Sequence, residues 1–112
     1  MDKNRKREML REYKEREKQQ GVYAVRCAAT GAVWTAVSRN LDKQQNGTWS
    51  QLRQGGHPNK AMQAVWNAHG EAAFAYEILE EVKDDNPLLI ASLLKDREAE
   101  WRKELNAEKA VG

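Results

Sequence analysis

Glu98 is the residue of this chain with the clearest capacity for chemistry. With Ile90, Leu94, Trp101 and Leu105 it forms a series spaced by four, four, three and four residues, which is one face of a helix. Four of these five side chains are apolar, so the carboxylate lies on a stripe that folding would bury. A buried carboxylate costs several kcal/mol unless it is paired, protonated or bound to a cation. Its simplest fate is an ion pair with Arg26, Lys43 or Arg102. Its more consequential fate is to hold a metal ion. Two aromatic residues, Tyr23 and Trp34, fall where they would line a site on neighbouring strands. They have a bland reading too, because aromatics on adjacent strands are usually cross-strand core pairs.

The elements that must position these residues follow from patterning. Val22–Cys27 and Val33–Ser38 are rich in Val and aromatics and read as antiparallel strands joined by a Thr30-Gly31 turn. Asn40 is a good N-cap for a helix running to about Gln54, which Gly55-Gly56 stop. Lys60–His69 is a second helix, with Met62, Val65, Trp66 and His69 on one face and Gly70 closing it. Phe74–Val82 is a third strand, with Phe74, Tyr76, Ile78 and Glu80 directed one way. Pro87 opens a last helix reaching about Asn106. The first twenty residues read as a weakly packed charged helix with Met9, Leu10 and Tyr13 as its apolar face.

The resulting expectation is an α/β (α+β) fold of order α-β-β-α-α-β-α, a small three-stranded antiparallel sheet flanked by helices. Its parts are a charged helix over residues 1–20, a domain over 21–106 and a frayed tail over 107–112. With 112 residues there is room for one modest core. No apolar run approaches the roughly 18–20 residues that span a bilayer. Cys27 is the only cysteine, which excludes an internal disulfide and a cysteine-based zinc site and makes a reducing cytoplasm the default. The net charge of +2 is unevenly spread: residues 1–20 and 21–75 are each +3, and residues 76–112 are −4. A basic half suits a phosphate backbone, although mixed charges also simply solvate helical faces.

The order of these residues resembles the GIY-YIG nuclease family. Gly21-Val22-Tyr23 matches the first triplet, and Trp34-Thr35-Ala36 stands in the place of the second. Asn40-Leu41 resembles the polar-Leu pair that opens the next helix. His57–Val82 is similar to a helix-then-strand segment of small bacterial members, and Glu98-Ala99-Glu100-Trp101 matches the motif of the family's metal-binding glutamate. The resemblance covers about residues 20–105. It implies hydrolysis of DNA phosphodiesters with one divalent ion, Mg²⁺ or Mn²⁺. Glu98 would be its ligand and Tyr23 would act near the attacking water. Arg26, Arg39, Lys43, Arg53, His57 and Lys60 would meet the nucleic acid, with His57 alternatively capping the next helix.

Departures from the family are equally specific. Trp34 lacks the hydroxyl of the second motif tyrosine, Ala36 replaces its glycine, and Gln44 (or Gly47, with the register one turn on) stands where the resemblance places an arginine that stabilises charge on the scissile phosphate. The expected function is therefore a metal-dependent endonuclease, catalytically impaired. The alternatives are a non-catalytic nucleic-acid-binding protein on the same fold and a protein-interaction module using the first helix.

Overall fold

The computed structural model describes residues 19–111. The charged helix expected over residues 1–20 lies almost wholly outside them. Strands β1 (Gly21–Cys27), β2 (Val33–Ser38), β3 (Phe74–Glu81) and β4 (Glu108–Lys109) form one sheet in the order β3-β1-β2-β4. The first three strands pair antiparallel, whereas β4 runs parallel to β2. Helices α1 (Leu41–Gln54) and α2 (Lys60–His69) lie between β2 and β3, with a short 3₁₀ turn at Glu71–Ala73, and α3 (Pro87–Glu104) follows β3.

The sheet has four strands, one more than expected, and the extra one comes from the tail read as frayed. The backbone of the tail has partners: the Ala110 amide donates to the Thr35 carbonyl at 2.8 Å, and the Ala110 methyl is buried. Helix α3 ends at Glu104, two residues earlier than expected, and Asn106 takes a positive φ that turns the chain back toward the sheet.

Helix caps follow local chemistry, with one exception. Asn59 Oδ1 accepts from the Met62 amide and Asn86 Oδ1 from the Leu88 amide, satisfying donors that α2 and α3 leave open. Asn40 makes no such bond to α1. Its own amide donates instead to Ser38 Oγ, and its Oδ1 is buried without a partner among the described residues. Gly55 closes α1 in the left-handed region, where a side chain would be strained.

Register divides the sheet into two faces. Tyr23 pairs with Ala36 and Val25 with Trp34, whereas Ala24 pairs with Thr35. Since side chains alternate along a strand, the first four share a face. There they pack with Trp49, Leu52, Met62, Trp66 and Phe74 in the main core, under α1 and α2. The other face carries α3, where Val82, Ile90 and Leu94 form a smaller cluster. A bulge at Val22/Tyr23 shifts the β1–β3 pairing by one residue. Glu80 thereby turns to the α3 face, not to that of Phe74 and Tyr76, because a one-residue slip reverses the side chain's direction. It accepts there from Arg97 Nε and Trp101 Nε1.

Candidate functional site

On the apolar stripe of α3, Ile90, Leu94 and Glu98 are buried, and Trp101 and Leu105 are half-buried. The Glu98 carboxylate has a specific anchor. Thr35 Oγ1, fully buried, donates to its Oε2 at 2.8 Å. Its Oε1 stands 3.7 Å from Arg102 Nη1, beyond hydrogen-bond range. The expected arginine contact is thus a loose one, and the hydroxyl of Thr35 makes the close one. Glu98 also lines a pocket of about 280 Å³ whose walls include Ala36, Arg39, Lys95 and Lys109.

Tyr23 is placed apart from this pocket. It lies on the α1–α2 face and is 2% exposed, with its ring 5.4 Å from that of Tyr76. Burial raises its pKa above the ordinary 10, against a smaller opposite pull from a hydrogen bond with the Thr48 side chain. The Tyr76 phenol, donating to the Leu41 carbonyl at 3.0 Å, is pushed up to about 12, chiefly by burial. Both rings are therefore neutral phenols at physiological pH.

Trp34 and Gln44 occupy the same face. The Trp34 ring stacks on Phe74 at 6.2 Å, and its Nε1 has no partner among the described residues. Gln44 is fully engaged. Ser38 Oγ donates to its Oε1 at 2.8 Å, and its Nε2 donates to Thr48 Oγ1 at 2.9 Å. A neutral relay thus runs from the end of β2 through α1 to Thr48, beside Tyr23.

The cations expected to meet nucleic acid fall into distinct groups. Arg26 pairs with Glu77 at 2.8 Å, and Arg53 makes a two-pronged pair with Glu71 at 2.6 and 2.9 Å, so both charges are locally balanced. Lys43 and Lys60 are exposed on α1 and at the start of α2, away from the pocket walls. His57 is buried, which lowers its pKa, and its Nδ1 accepts from the Asn59 amide. It is a neutral structural imidazole that holds the turn into α2. Of the expected residues, the structure brings together Glu98 and Arg39.

Three further residues join them that sequence reasoning missed. Lys95 had a signal, since Ala91, Lys95 and Glu98 share a helical face at i, i+4 and i+7. Thr35 had one too, as the strand residue facing away from Trp34 and Ala36. Lys109 had none, because nothing local marked the tail as a strand. Among the described residues no three His, Cys, Asp or Glu side chains cluster around a common point, so the site offers one carboxylate.

No family model and no curated protein matches the chain by sequence. Solved structures do. The catalytic domain of the homing endonuclease I-TevI is 27% identical with a TM-score of 0.67, over 79% of this chain and 89% of that one. A glutamate-to-alanine mutant of the same catalytic domain, described as that of an intron endonuclease, is 26% identical with a TM-score of 0.67, over 79% and 84%.

Proposed function

The chain has the GIY-YIG nuclease fold, and from that premise we propose that it is a divalent-cation-dependent DNA phosphodiester hydrolase centred on Glu98, slowed by its altered motif positions. The observation that carries this reading is a buried carboxylate opening onto a pocket rimmed by positive side chains. A single carboxylate fits an ion that keeps most of its water and takes oxygen ligands, as Mg²⁺ and Mn²⁺ do, and is a poor match for zinc. Such an ion, when bound, supplies Lewis-acid polarisation of a phosphoryl oxygen. The protein's part is to hold that ligand still. Thr35 fixes Oε2, leaving Oε1 as the freer oxygen.

Two features slow turnover. Gln44 brings no charge to the scissile phosphate, and loss of one electrostatic contact of that kind costs about 10²–10³ in rate. The Tyr23 phenol reaches an attacking water only by leaving Thr48 and Tyr76. The reading fits a chain with one buried, unpaired cysteine, and so a cytoplasmic setting. None of the described helices is long and apolar enough to cross a membrane.

The test is nicking of supercoiled plasmid by the full chain with Mg²⁺ or Mn²⁺. Slow nicking that Glu98→Ala removes supports the reading, and nicking that survives this substitution means the ligand lies elsewhere. A second reading, DNA binding without cleavage, is favoured by the sealed Tyr23. It expects salt-sensitive plasmid binding with no nicking under any divalent ion.

A further inference from the structure

The Glu98 pocket carries more positive charge than its carboxylate balances. Arg39 follows β2, Lys95 lies on α3 and Lys109 on β4, and all three line the pocket. Among the described residues none of them pairs with a carboxylate, whereas Arg26, Arg53, Lys83, Arg97 and Arg102 each do. Arg39 instead donates to Gln20 Oε1 at 3.2 Å. Glu98 is already engaged by Thr35 and approached by Arg102. Like charges gathered around one concavity repel each other unless an anion enters it.

Lys109 is brought there by a built arrangement. Its strand register sets it opposite Thr35, the residue that anchors Glu98. Asn59 Nδ2 donates to the carbonyls of both Lys109 and Ala110, at 3.1 and 3.0 Å, while Asn59 Oδ1 caps α2. The backbone of β4 is tied to β2 on one side and to the start of α2 on the other. The lysine side chain stays exposed at the pocket.

Resting on the functional reading above, we propose that Lys95 and Lys109, with Arg39, form the phosphate-binding wall of the Glu98 site, each lysine taking one backbone phosphate of DNA. The two lysines act as point charges, and Arg39 adds a planar fork suited to phosphate oxygens. Gln44 is committed to its relay on the opposite face, so the charge at this site comes from α3 and β4.

The experiment measures binding of the full chain to duplex DNA across a series of salt concentrations. Lys95→Gln and Lys109→Gln each reduce the steepness of the log–log salt dependence by about 0.9, the increment for one phosphate contact on B-form DNA. Lys83→Gln, at a distant cation paired with Glu81, leaves the slope unchanged. Slopes for the Lys95 and Lys109 variants equal to that of the unaltered chain overturn the inference. If Glu98-dependent nicking persists in that case, the functional reading stands without it. Absence of salt-dependent DNA binding by the unaltered chain overturns both.

Discussion

The two faces of the sheet treat their motif residues in opposite ways. Under α1 and α2, Tyr23 and Trp34 are packed into an aromatic core with Trp49, Trp66 and Phe74, and Gln44 is tied into a neutral relay. Under α3, Glu98 is also buried, yet it opens on a pocket with three cations. Burial alone therefore does not separate a structural motif residue from a chemical one. For Tyr23, Gln44 and Glu98 the difference is whether the polar atoms' partners are already supplied from within. The Tyr23 hydroxyl has Thr48 beside it, whereas Glu98 has one oxygen fixed and the other 3.7 Å from its nearest cation.

The contrast is broken or sharpened most strongly at Trp34. Trp34→Ala should cost about 3–5 kcal/mol of stability, as large-to-small changes of core aromatics do. Urea denaturation measures it, and the folded protein should keep its salt dependence of DNA binding. Weaker DNA binding by the folded variant at an unchanged salt slope would show that the ring touches nucleic acid. On the other face, Thr35→Val keeps the shape but removes the donor to Glu98 Oε2. Leaving that buried oxygen unpartnered should cost about 1–3 kcal/mol, and Thr35→Ser should retain most of the lost stability. Equal stability of the Val and Ser variants would mean that the Thr35 hydroxyl does not anchor Glu98.

Smaller effects test the relay. Gln44→Arg places a cation where the resemblance puts one, but it breaks the bonds to Ser38 and Thr48. It should cost about 1 kcal/mol of stability and speed plasmid nicking by about 10², the worth of one restored electrostatic contact. Nicking no faster than that of the unaltered chain would mean that the α1 face takes no part in the reaction. The smallest effect concerns His57. Its folded pKa is depressed by burial, so below the ordinary value of 6.5 the unfolded chain binds more protons. Stability should be fully present above pH 6.5 and fall as pH drops through the folded value. His57→Asn should flatten that acid limb in denaturation curves taken across pH.

Much of this was legible from residues alone. The strands, the helix ends at Gly55 and Gly70 and the burial of Glu98 follow from periodicity and turn chemistry, which act over a few residues. The resemblance named the fold that the neighbouring structures share. What could not be read was set by distant parts of the chain. Strand β4 exists because Thr35 and Asn59 accept and donate to a segment 50 or more residues away, and no local propensity announces that. The fate of Arg26 and Arg53 depended on where Glu77 and Glu71 would lie. The direction of Glu80 turned on one bulge.

Next to that bulge is Gly21, the first residue of the motif. A Cβ there would stand 2.0 Å from the Glu80 carbonyl oxygen, with backbone carbons at 3.0 Å behind it. In a mutational scan selected only for soluble, folded protein, Gly21 should tolerate no other side chain. Irreplaceability at this signature glycine therefore records how closely two strands are seated, and a pseudoenzyme on this scaffold would keep it as faithfully as an active one.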